Sequence, residues 1–128
     1  MLLIDTSIAV GLRENVQSVG DRFARLTSLP MLSIVSVVEL EGGVAAAPEG
    51  HDARRRSLDR LYANLEIPPF TRREAAAYSD ILAAIGFSRR LVIDRMIAAQ
   101  ALVANCALAT LNPRDFRAIP DLKIEDWS

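Results

Sequence analysis

Four carboxylates stand where chemistry is expected. Asp5 follows directly on the apolar run Met1-Leu2-Leu3-Ile4. Glu39 lies early in a helix that follows a second apolar run, Met31 to Val35. Asp115 sits in the turn Leu111-Asn112-Pro113-Arg114-Asp115, five residues past Thr110. Asp94 has an apolar helical setting, with Ile97, Ala98, Ala101 and Leu102 at positions +3, +4, +7 and +8. A carboxylate facing a core is costly unless it is paired or holds a metal. Each acid taken singly also has a structural reading: Asp5 as a helix cap, Glu39 as a solvated helix acid, Asp94 as an acid favoured by a helix N-terminus, Asp115 as a turn residue. Taken together, oxygen ligands without histidine or thiolate suit a hard cation, Mg²⁺ or Mn²⁺, rather than zinc.

Rival chemistries lack their residues. Neither a GxxxxGK[ST] phosphate loop nor a GxGxxG fingerprint occurs, and Ser36 has no glycine-flanked nucleophile elbow. The single histidine, His51, opens a basic helix and is expected at the surface. The single cysteine, Cys106, reads as a core thiol; with no second cysteine to pair with, a cytoplasmic setting is expected. An aspartyl phosphatase would need a second Asp where Ser7 stands, and a receiver domain a lysine near the site, whereas the one lysine is Lys123.

The elements that must position these acids alternate strand and helix. Met1 to Ile4 reads as a strand buried on both faces, and Asp5-Thr6-Ser7 as a helix start. Val19, Phe23 and Leu26 recur at helical spacing within Val16 to Leu29. Met31 to Val35 reads as a second buried strand, with Ser36 capping a helix from Val37 to Ala47 that ends near Pro48. A basic helix is expected from His51 to Leu65 and a very short strand at Glu66-Ile67. Thr71 and Glu74 form a capping box for a helix that carries Tyr78, Ile81, Leu82 and Ile85 on one face and stops at Gly86. A helix from Leu91 to Asn105 and strands at Ala107–Thr110 and Leu122–Ile124 complete the chain. This pattern implies an α/β fold with a parallel sheet and crossover helices, whose functional groups gather beyond the carboxyl ends of the strands.

Composition sets the outer bounds. The 128 residues are 51% hydrophobic and 24% charged, the balance of one globular domain covering 1–128. No apolar run approaches the roughly 18–20 residues of a membrane-spanning helix, so no membrane role is expected. Fifteen basic residues against 16 acidic ones leave a net charge of −1, which excludes a uniformly basic nucleic-acid binder but not a locally basic face. Arginines at 54–56, 60, 72–73 and 89–90 could guide a nucleic-acid backbone, although solvated helix faces are the simpler reading. Aromatic residues make up only 5%, too few for a multi-base stacking platform. Apolar helix faces at Val16–Leu26 and Tyr78–Ile85 exceed what a thin sheet would cover, and a homodimer is expected.

The segments LLIDTS, SVVELEGGV, VIDRMIAAQAL and LATLNPRDFRAIPDLKIEDW, in that order, resemble the PIN-domain ribonucleases, and among them the VapC-type toxins of bacterial toxin–antitoxin pairs. The resemblance spans nearly the whole chain and implies a three-layer sandwich with a central, mainly parallel sheet flanked by helices. It also implies a metal-dependent endoribonuclease whose acids match Asp5, Glu39, Asp94 and Asp115. Helical spacing alone does not choose between Glu39 and Glu41; the family pattern favours Glu39. Asp5 and Asp94 match positions expected to ligate Mg²⁺ or Mn²⁺, and Thr6, Thr110 and Asn112 match supporting polar positions. The implied partners are an RNA substrate, a cognate antitoxin protein and a second copy of the chain, with DNA reached only through the antitoxin. A degenerate domain that binds RNA or a partner without cutting is the rival reading.

Overall fold

The computed structural model describes residues 1–47 and 49–128; the helix end expected near Pro48 falls, at that residue, outside the described ones. The first apolar run forms β1 (Leu2–Ile4), buried along its length. Asp5 then caps α1 (Thr6–Arg13), and a turn through Asn15 leads into α2 (Gln17–Ala24). Strand β2 (Met31–Leu32) runs into α3 (Ile34–Ala46), followed by α4 (His51–Ala63), α5 (Arg72–Ile85) and α6 (Val92–Ala104). Strand β3 (Ala107–Thr110), a 3₁₀ turn at Pro113–Asp115 and β4 (Ile124–Asp126) close the chain.

The four strands form one parallel sheet in the order β2-β1-β3-β4. From β1 the chain first steps outward to β2, then returns across β1 to place β3 on its other side. The reversal of strand order therefore falls between β1 and β3, the crevice where open parallel sheets carry their sites. Because successive side chains of a strand face opposite ways, Leu2 and Ile4 enter one core layer and Leu3 the other. The first layer gathers Ile8, Val19, Leu40, Leu58 and Leu61 from α1 to α4, and the second Ile81, Ile97, Ala98 and Phe116 from α5, α6 and the last turn. The chain is thus the expected α/β three-layer sandwich.

Several boundaries differ from the sequence expectation. The run Met31 to Val35 does not stay a strand, because Ser33 interrupts it: its Oγ accepts from Val35 N at 2.9 Å and starts α3 at Ile34. Ser36 is therefore not the cap but lies within the helix, fully buried. Glu39, expected in the first turn of that helix, falls in the second. The Val16–Leu29 segment is helical only over Gln17–Ala24. Gly11 allows α2 to fold back closely on α1, since a Cβ there would stand 3.1 Å from Val19. Glu66 makes a single bridge to Met31 rather than a strand, and β4 begins at Ile124, two residues later than expected. The stripes on which a homodimer was expected are spent inside the molecule. Val19 is 1% and Ile81 3% exposed, and Phe23, Leu26, Tyr78 and Ile85 pack on the two cores.

Candidate active site

Asp5 lies at the β1–β3 crevice and is held from three directions. Ser7 Oγ donates to its Oδ1 at 2.6 Å, Ile8 N to the same oxygen at 3.1 Å, and Thr110 Oγ1 to its Oδ2 at 2.6 Å. Each hydroxyl in turn accepts a backbone N–H from the loop after β3: Ser7 from Leu111 at 3.1 Å and Thr110 from Asn112 at 2.9 Å. One carboxylate thus ties the end of β1 to the loop that carries Asp115. Burial pushes the Asp5 carboxyl above its ordinary range, and the hydrogen bonds from Ser7, Thr110 and Ile8 oppose that shift.

Glu39 is exposed and is steadied by Thr6, whose Oγ1 donates to Oε1 at 2.6 Å. The single Thr6 proton is used there, so the Ser36 hydroxyl, 2.8 Å from Thr6 Oγ1, supports it from beneath. Glu41 is engaged elsewhere. Arg55 holds it with paired contacts of 2.6 and 2.7 Å and Tyr62 donates at 2.8 Å, which together lower its carboxyl to about 2. The structure therefore turns Glu39 toward the acid group and Glu41 toward α4.

Asp94, near the start of α6, is where the charges meet. Its carboxyl is pushed up to about 6, first by burial and then by the negative charges of Asp115, Asp5 and Glu39, while Arg90 opposes the shift. No hydrogen bond to Asp94 contributes to that balance. Asp115 closes the far side and is approached by Arg90 Nη1 at 3.5 Å. The Asn112 backbone is part of the site through Thr110, whereas its exposed side chain makes no cap bond to the turn that follows.

These residues come from four separate parts of the chain, and the fold brings Asp5, Glu39, Asp94 and Asp115 to one edge of the sheet. The donor set fits a hard divalent cation: carboxylate oxygens only, with mutual repulsion concentrated on an unpaired Asp94. Among the described residues no three acids close round one point; Glu39 accepts from Thr6, and Asp115 from Arg90. Cys106 and His51 take no part: the first is buried with its thiol pushed up by burial, the second is exposed at the start of α4.

Sequence reasoning did not assign Ser36 or Arg95 to this region. Ser36 had a legible signal, because it stands three residues before Glu39 and so on the same helix face. Arg95 is 7% exposed and its Nη1 donates to the Gly86 carbonyl at 2.7 Å, a buried arginine that no periodicity argument foresees.

The family model described as PIN domain matches residues 2–122. Ribonuclease VapC2 of Rickettsia felis is 28% identical over 131 residues, which cover 98% of this chain and 96% of that protein. The structure resembles VapBC2 of Rickettsia felis, solved bound to a DNA fragment from its promoter, with a TM-score of 0.87 and 25% identity over the whole of both chains. DNA-bound VapBC of Salmonella typhimurium gives the same TM-score and identity, over 99% of this chain and 98% of that one.

Proposed function

Because the chain belongs to the PIN-domain family, we propose that it is a ribonuclease toxin of a toxin–antitoxin pair, cutting RNA phosphodiester bonds with water in a single domain over 1–128. The observation that carries this reading is the convergence of Asp5, Glu39 and Asp115 on Asp94, whose carboxyl rises to about 6. The acids of this edge repel one another around Asp94, and an RNA phosphate would be repelled as well.

A Mg²⁺ or Mn²⁺ ion held by Asp5 and Asp94 would reverse the local sign, polarise the phosphoryl oxygen and lower the pKa of a water. The protein's own groups set the rest. Asp5 is fixed through its bonds to Ser7, Ile8 and Thr110, so that it does not turn away when charge accumulates. Glu39 keeps Oε2 free while Oε1 accepts from Thr6, and Oε2 is the atom that takes a proton from the attacking water. In-line attack at phosphorus then breaks the P–O3′ bond, and the departing 3′-oxygen takes a proton from solvent, leaving a 5′-phosphate and a 3′-hydroxyl. Arg90 stands beside Asp115, where an incoming phosphate would compete for its guanidinium.

The likeness to DNA-bound VapBC assemblies supports a cognate antitoxin as protein partner; a second copy of the chain, DNA reached only through the antitoxin and a cytoplasmic place of action belong to the same proposal. The deciding experiment incubates the purified chain with total RNA in Mn²⁺ or in chelator and maps the cut ends. Discrete cuts with 5′-phosphates, seen only with metal, are expected. Intact RNA in millimolar Mn²⁺, or cutting unaffected by chelator, overturns the reading.

A further inference from the structure

The loop from Gly86 to Leu91 joins α5 to α6 beside the acid group. Its end comes to the acid group: the exposed Arg90 reaches Asp115 at 3.5 Å, and Asp94 follows in the first turn of α6. Its start is fixed from below by Arg95, whose buried guanidinium donates to the Gly86 carbonyl at 2.7 Å. Gly86 itself has φ +81 and ψ 171, a backbone region essentially reserved for glycine. The next residue, Phe87, is turned out into solvent.

Phe87 is the exception among the aromatic residues. The chain has seven. Phe23, Tyr62 and Trp127 pack in one core layer, and Phe70, Tyr78 and Phe116 in the other. Phe87 alone packs in neither and is 69% exposed. It shares its loop with exposed Arg89 and Arg90, so the same few residues offer a flat apolar face and two cations beside the acid edge.

We propose that the 86–91 loop grips an unpaired nucleotide next to the scissile bond, with Phe87 stacking on its base while Arg89 and Arg90 take the adjoining phosphates. The proposal rests on the ribonuclease reading and narrows it: the substrate must be single-stranded where it meets this loop, because a paired base presents no free face to a side chain. RNA is favoured over a protein occupant by charge, since two arginines beside a phenylalanine match a phosphate chain with exposed bases. One aromatic makes no platform; it marks a single nucleotide.

The test uses a single-stranded RNA oligonucleotide that spans a mapped cut, together with copies carrying one abasic nucleotide on either side of the bond. Phe87→Ala is expected to raise KM about tenfold with kcat little changed, the loss that removal of one base stack produces. Phe87→Trp should retain cutting and show fluorescence quenching on binding. With the abasic copy at the gripped position, the wild type and the Phe87→Ala protein should cut alike, an equality that a merely structural role would not produce. Equal KM for wild type and Phe87→Ala on the intact oligonucleotide overturns the proposal. So does a Phe87→Ala protein that cuts normally but has lost a second copy or the antitoxin in light scattering, which would assign the loop to protein contact. If the wild type cuts no RNA, the ribonuclease reading falls by itself, and binding of the same oligonucleotides to wild type and Phe87→Ala still decides the loop.

Discussion

At the scale of the residue, Asp94 concentrates the electrostatic cost of the site. Its carboxyl lies at about 6 in the folded chain against an ordinary 3.8, so the folded state is the better proton binder. That contribution to stability is fully present below pH ~4 and is lost as the pH rises through 6. Near neutral pH without metal, Asp94→Asn should therefore melt higher than wild type, by about 1–2 kcal/mol once solvent screening is discounted. The gap should vanish at pH 4. Thermal melting of both proteins in chelator at pH 4 and 7.5 checks this, and cleavage by the variant should be lost. The neighbouring pair of acids separates two roles: Glu39→Gln should cut at least ~100-fold more slowly, the scale of a missing general base. Glu41→Gln should leave cutting intact and lower stability instead, because it replaces the paired charged contact to Arg55, which is left with Asp59 as its anionic partner. Since the Glu41 carboxyl is held at about 2, that second effect should be full above pH ~4.5 and fade as the pH falls toward 2. Cleavage rates and melting curves for both variants distinguish the two roles.

At the scale of the element, legibility followed the strength of the local signal. Strand β3 is found at the residues its apolar run predicts, and the Thr71–Glu74 capping box is present with both bonds formed. The stop at Gly86 is likewise where it was expected. The start of α3 was misplaced because two serines stand three apart and either could cap; only the strand partner, β1, decides that β2 ends after Leu32. The acids were legible as a group from their places beyond strands. Thr6 and Thr110 were expected to support them, but the relay was not legible in which Ser7 and Thr110 each accept a backbone N–H from the loop after β3, more than a hundred residues away from Ser7. Gly86 gives this scale its prediction. An alanine there is strained at φ +81, so Gly86→Ala should cost about 1–3 kcal/mol in a denaturant titration and loosen the loop that Arg95 holds.

At the scale of the whole molecule, metal should act as a folding ligand. An ion bound only by the folded form stabilises it by about 2.7 kcal/mol at a hundredfold excess over Kd. Millimolar Mn²⁺ should raise the melting temperature of the wild type and invert its order with Asp94→Asn, while chelator restores the first order. Equal shifts for both proteins would contradict the assignment of Asp94 to the ion. The helical stripes that suggested a second copy largely cover the chain's own sheet, while Val16 of the first stripe and Ile34 and Val38, one turn apart on α3, stay exposed.

The bond between Thr110 and Asp5 joins residues 105 positions apart. It has a consequence for the moment of synthesis. A chain leaving the ribosome exposes Asp5 and Glu39 early, but β1 lacks the neighbour that fixes its carboxylate until β3 has emerged and paired with it. Closing so long a loop comes late in folding, after local helices have formed. The nascent protein is thus unable to cut while most of it is still being made, and the message that encodes it passes through translation before its product is competent.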